Sequence, residues 1–199
     1  VSCTKFIANI YSASTEVTID DPSGAISKAV TFNFYKDDEL SFRASTNISE
    51  TLKVIKLLPN TKYTVIGTYQ YTDESGEIYE VKFTTQEFKT AEADKVNPIE
   101  LSLKNGKIYS DKIELQNLKI ISDIEDEAIN GVTKARININ GDKYSINTQT
   151  LLDILQGKDV KYQTGNVLKS NTKYKNEIIF YDTANNEMKL KGNTGNTVT

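Results

Sequence analysis

The 199 residues suffice for one large domain or two of ordinary size, and a formal net charge of -3 carries no basic excess of the kind that points to nucleic acid. With no His and a single cysteine, Cys3, the chain excludes a Ser-His-Asp triad, a Cys-His dyad, an imidazole zinc site and an internal disulfide. Hydrophobic residues make up 38%, which suits sandwiches whose sheets each keep one wet face.

Taken in chain order, period-two patterns dominate. Thr15–Asp20 alternates with Val17 and Ile19 on one side. Asp20 and Asp21 then precede Pro22 in a turn cluster that ends at Gly24. Ala29–Tyr35 sets Val30, Phe32 and Phe34 against Thr31, Asn33 and Tyr35, and Asp37, Asp38 and Glu39 read as a hairpin tip. Thr51–Leu57 is a further strand candidate, Thr61–Thr72 a long β-branched one, and Glu77–Phe88 alternates again. Asp73–Gly76 supplies the Gly that a short hairpin loop needs.

After Phe88 the pattern stops, and Lys89–Pro98 is polar and small. The expected organisation is therefore 1–90, a linker at 91–97, and a second domain at 98–199. In the second half Lys112–Ser122 reads as a strand, followed by an acidic loop at Asp123–Gly131. Val132–Asn140 and Gly141–Asn147 read as a hairpin. Thr150–Gly157 breaks the pattern with clustered Leu and Ile, which reads as one or two helical turns bridging the sheets. Asn171–Asp182 is a long strand, with Asn186–Gly192 as its hairpin partner. The terminal NTGNTVT reads as a frayed edge or the path into a further module.

The four residues NTKY occur twice, ending at Tyr63 and at Tyr174, each with a Leu six residues earlier, Leu57 and Leu168. Such a stretch serves as a crossing between sheets. The Leu plugs the core, and Pro59 fixes the backbone in the first copy. Asn60 and Asn171 tolerate the tight turn. A buried Tyr then returns its hydroxyl to the backbone, the tyrosine corner of Greek-key sandwiches. The stretch Leu57–Thr85 resembles the last half of a fibronectin type III domain, and the second copy resembles it more loosely, with Ser170 where the Pro is expected. The buried Trp usual in that family is absent. Phe32 or Phe34 is expected to fill its space in the first domain, and Ile137 or Ile139 in the second.

The resemblance implies an all-β chain of two tandem fibronectin type III-like, immunoglobulin-like antiparallel β-sandwiches. It further implies a non-catalytic spacer or adhesive module, as in phage or prophage tail and baseplate proteins of Gram-positive bacteria. The expected partners are other virion tail subunits or a cell-surface glycan or protein, without nucleic acid or membrane insertion. The expected location is the virion tail. The alternative is a bacterial cell-surface adhesin or a carbohydrate-binding accessory domain of a secreted enzyme. The first residue is Val rather than Met, so an internal fragment of a longer protein is expected.

No catalytic, cofactor-binding or metal-binding residue is expected, and no cofactor. Asp123, Glu125, Asp126 and Glu127 offer oxygens to Ca²⁺, but in an order unlike an EF-hand, so a solvated loop is favoured. Tyr63, Tyr69 and Tyr71 share a face if their strand is unbroken, with Tyr79 on the neighbouring strand. Cross-strand pairing within the sheet is favoured over a binding surface. The site residues are thus structural: Leu57, Pro59, Tyr63, Leu168 and Tyr174.

Overall fold

A computed structural model describes residues 1–21, 24–47, 49–95, 97–108, 113–123, 126–163, 169 and 171–198. The chain divides into two units, Val1–Lys95 and Val96–Thr199, each with its own core.

Unit 1 contains β1 (Ser2–Cys3), β2 (Ile7–Ala8), β3 (Ala13–Thr18), β4 (Ile26–Lys36), β5 (Glu39–Asn47), β6 (Thr51–Val54), β7 (Lys62–Thr72) and β8 (Ile78–Lys89). One sheet is built on β3, which pairs with β1, β2 and β6. The other runs β5-β4-β7-β8, and every pairing is antiparallel. Alternation decides which side chains meet between the sheets. Phe6, Ala13, Val17, Leu52 and Val54 from the first sheet pack against Val30, Phe32, Phe34, Val65 and Phe88 from the second. Phe32 and Phe34 are both fully buried, and Phe6 meets them edge-on at 5.6 and 5.7 Å. A Phe cluster thus fills the centre of this core. Each such ring contributes about 1.5–3 kcal/mol of burial.

The strand β5 has no apolar alternation of its own beyond Phe42 and Ala44, which lean on the core. It exists because β4 offers it a ladder from Ala29↔Asn47 to Lys36↔Glu39. The two-residue turn joining them puts Asp37 and Asp38 at φ 50 and 64, the left-handed pair a tight hairpin requires. The β8 strand carries a bulge, since Gly67 pairs with Thr84 and Thr68 with Lys82. The extra residue switches which parity faces inward, from Phe83 before the bulge to Phe88 after it. Phe83 then lies over Gly67, and a Cβ there would sit 2.7 Å from the Phe83 ring.

Unit 2 contains β9 (Ile99–Ile108), β10 (Ile113–Ile120), α1 (Glu127–Asn130), β11 (Lys134–Ile139), β12 (Asp142–Ser145), α2 (Thr148–Leu155), β13 (Val160–Gln163), β14 (Lys173–Tyr181), β15 (Leu190–Lys191) and β16 (Thr194–Val198). Its sheets run β13-β10-β9-β15 and β12-β11-β14-β16. Pairing is antiparallel except between β15 and β9. Both units are therefore two-sheet β-sandwiches that visit their sheets in the same order as far as the long strand, β7 or β14, after which unit 2 alone returns to the first sheet through β15.

The second core replaces aromatic bulk with helices. Ile137 and Ile139 are buried with Ile178 and Phe180, and Ala128 and Ile129 of α1 join them. Leu151 and Ile154 of α2 fill the same core, and α2 packs on β10, β11 and β13. Asn147 caps α2, accepting from the Thr150 N–H at 2.8 Å.

Two expectations are corrected here. Asn186–Gly192 is not one hairpin strand: Leu190–Lys191 leaves β14 and pairs in parallel with β9. The terminal segment is not a frayed edge, because Thr194–Val198 completes the sheet along β14 from Thr194↔Glu177 to Val198↔Lys173. The chain changes sheets at Gly192, whose φ is +67 and whose Cα lies so near β9 that a Cβ would be 2.3 Å from the Leu101 carbonyl oxygen.

Candidate functional site

The corner of unit 1 is built from the chain crossing between β6 and β7. Lys56 and Asn60 both take positive φ, at 60 and 50, bending the backbone tightly where Asn is tolerated. Leu57 is 1% exposed, and its N–H donates to the Tyr11 carbonyl at 2.9 Å. Tyr63 is 2% exposed, and its ring packs on Phe88 with centroids 5.5 Å apart. The Tyr63 hydroxyl oxygen accepts from the Leu58 N–H at 3.0 Å. Burial pushes the Tyr63 phenol up, against smaller opposing effects from the Leu58 hydrogen bond and Lys36.

Thr90 was not anticipated as part of this corner. Its hydroxyl donates to the Leu58 carbonyl at 2.6 Å and accepts from the Thr61 N–H at 2.9 Å. Asn60 N–H donates to the Ala91 carbonyl, and Ala91 N–H to that of Asn9, each at 2.9 Å. Both backbone groups of Leu58 are thus satisfied by side chains, Tyr63 from β7 and Thr90 from just after β8. Pro59 accepts from the Thr61 hydroxyl at 2.8 Å. In unit 2 the Tyr174 hydroxyl accepts from the Lys169 N–H at 2.8 Å, and Asn171 takes φ 54. Leu168 lies outside the described residues.

A second repeated device was missed in the sequence. Asp73 accepts from the N–H groups of Ser75 and Glu77, each at 2.9 Å, and Asp182 accepts from those of Ala184 and Asn186 at the same distances. Both carboxylates hold the turn that follows the long strand, with Gly76 and Asn185 at positive φ. The spacing Asp, then Gly or Asn three residues on, is the signal they share. The Ser75 hydroxyl and the Glu77 N–H hold the Asp73 carboxyl below its ordinary range.

The tyrosines of β7 divide by depth. Tyr69 leans on the core beside Phe83, at 6.0 Å between rings. Tyr71 and Tyr79 stand opposite each other in register near the tip, exposed with Ile78. Tyr79 donates to Glu77. In the acidic loop Asp126 caps α1 by accepting from the Ala128 N–H, and Glu127 accepts from Asn130. Glu125 lies outside the described residues. Among the described residues no group of three or more His, Cys, Asp or Glu side chains could hold a metal ion, and no helix is long and apolar enough to cross a membrane.

The outer face of the β12-β11-β14-β16 sheet gathers charge. Lys134 stands opposite Tyr181 in register, and Arg136 opposite Ile179 on one side and Ser145 on the other. The Lys134 Nζ lies 4.7 Å from the Tyr181 ring centroid and the Arg136 Cζ 5.6 Å. Lys143 Nζ is 3.5 Å from the Tyr181 hydroxyl and 3.0 Å from Glu187 Oε1. The Glu187 carboxylate chiefly, then the Tyr181 hydroxyl, raises the Lys143 ammonium above its ordinary value.

No protein-family model matches the sequence, and no curated protein matches it. Among solved structures, the FN1-FN3 domains of chicken CNTN1 are 11% identical with a TM-score of 0.39, over 100% of this chain and 67% of that one. A segment of two fibronectin type III domains from chicken tenascin is also 11% identical, with a TM-score of 0.34, over 100% of this chain and 98% of that one. The strand order within each unit, and not these superpositions, defines the fold.

Proposed function

We propose that the chain is a non-catalytic structural or adhesive pair of modules from a phage or prophage tail or baseplate protein. In that role it holds receptor-binding or other parts of the protein at a set spacing. The observation that carries the structural reading is where the polar chemistry goes. Tyr63, Thr90, Asp73, Tyr174 and Asp182 each hydrogen-bond to the chain's own backbone. The tail assignment rests on the overall resemblance of tandem sandwich modules, and fold alone does not dictate function.

A second reading, a bacterial cell-surface adhesin, is favoured by Tyr71, Ile78 and Tyr79, which stand exposed together at the β7–β8 tip. One experiment separates the two. Gold-labelled antibody raised against the chain is applied to purified phage particles and to cell-wall fractions of the source bacterium. Label on tails is the expected result. Label confined to cell walls overturns the tail role in favour of the adhesin.

A further inference from the structure

We infer that the outer face of unit 2 holds a phosphate-binding site formed by Lys134, Arg136 and Lys143 around Tyr181. The Tyr181 ring is 6% exposed, yet it lies outside the core cluster that its neighbour Phe180 joins. Alternation sends it to the other face of the sheet, where the charged heads of Lys134 and Arg136 lie over it. The ring holds the two cations in place as a cation–π platform. They sit two residues apart on β11, roughly 7 Å along the strand.

Charge balance identifies the ligand. Of the three cations only Lys143 has an ion-pair partner among the described residues, Glu187 at 3.0 Å. The nearby Glu177 accepts from the Asn138 amide at 3.5 Å and keeps its charge, and Glu187 reaches the Tyr181 hydroxyl at 3.5 Å. Lys134 and Arg136 are therefore held side by side with no carboxylate at ion-pair distance among the described residues, and three cations against these two carboxylates leave an excess of about one positive charge, which a phosphate oxyanion offsets. The Arg136 fork suits two phosphate oxygens at once, and the two ammonium groups act as point charges beside it. The wider field agrees in sign. Residues 96–199 carry 14 Lys and Arg against 13 Asp and Glu, whereas residues 1–95 carry 10 against 14. Phosphate is thus steered towards unit 2 and away from unit 1.

The test is a titration of the ¹⁵N-labelled chain with inorganic phosphate at pH 7.5, with ionic strength held constant by sodium chloride. Saturable shifts are expected at Lys134, Arg136, Lys143 and Ser145, with acetate giving a clearly weaker response. Arg136→Gln and Lys134→Gln should each weaken binding by about tenfold, the scale of one charge-assisted hydrogen bond, and Lys89→Gln in unit 1 should not. Lys143 is exposed, so Lys143→Gln supplies a variant that leaves the fold intact if the other two disturb β11. Equal shifts with acetate, shifts that never saturate, or unchanged affinity in Lys143→Gln and Arg136→Gln would each overturn the site.

Discussion

Replacing Tyr63 with Phe removes one oxygen and leaves the ring. The packing on Phe88 at 5.5 Å and on Phe42 at 6.5 Å survives, so any loss reports the hydroxyl alone. That hydroxyl is the acceptor for the Leu58 N–H at 3.0 Å. A typical hydrogen bond contributes about 1 kcal/mol net, and an orphaned buried donor costs about 1–3 kcal/mol. Leu58 is only half-buried, so water can partly replace the lost acceptor, and the expected cost is about 1–1.5 kcal/mol. For a unit of this size that lowers the midpoint by roughly 4–12 °C. The assay is a calorimetric scan of the whole chain with Tyr63→Phe and Tyr174→Phe side by side. Each should lower only the transition of its own unit. Alkali gives a second readout. The unfolded phenol releases its proton near pH 10, while burial holds the Tyr63 proton to higher pH. The stability this supplies is complete below pH 10 and is lost as pH rises towards the folded value. The wild-type chain should therefore lose stability above pH 10 more steeply than Tyr63→Phe. An unchanged midpoint together with identical alkaline profiles would refute the corner as a stabilising device.

Gly67→Ala should destabilise unit 1 by about 1–3 kcal/mol in a urea melt, because the new methyl meets Phe83 at 2.7 Å. Adding Phe83→Ala should recover the part due to the clash, and failure to do so would assign the cost elsewhere. Gly192→Ala should cost unit 2 at least about 2 kcal/mol, combining a left-handed φ with a 2.3 Å approach to the Leu101 carbonyl oxygen. A melt within error of wild type would mean that the sheet change at Gly192 is not as tight as drawn. Asn147→Ala should cost about 1 kcal/mol through the lost α2 cap, read from the denaturation midpoint of unit 2. Limited trypsin digestion should cut after Lys95 and spare Lys89, which pairs with Lys62 inside a ladder. Early cleavage at Lys89 would contradict the anchoring of Thr90 and Ala91 in unit 1.

What could be read from the residues alone was whatever a single segment states about itself. Val30, Phe32 and Phe34 announce a buried strand face by strict alternation, and all three are fully buried. The repeated NTKY marks two crossings because Asn and Tyr are needed at fixed offsets within one turn. Asp73 and Asp182 were legible in principle, since each bonds within four residues of itself. Where the signal lay in a partner strand it was not legible. The β5 strand is polar and exposed, and it is a strand because β4 lies beside it. Thr90 joins the corner from 32 residues away along the chain from Leu58, a distance that no local pattern spans.

The sequence by itself determined an all-β chain and the inward faces of its long strands, because alternation and turn chemistry are properties of adjacent residues. Only the tertiary structure decided that the tail Thr194–Val198 completes a sheet, that Phe83 takes the space over Gly67, and that Lys134, Arg136 and Lys143 converge on Tyr181. Each of these depends on which strand lies alongside which and in what register. Pairing energy is shared between distant segments, so it is settled only when the sheets close.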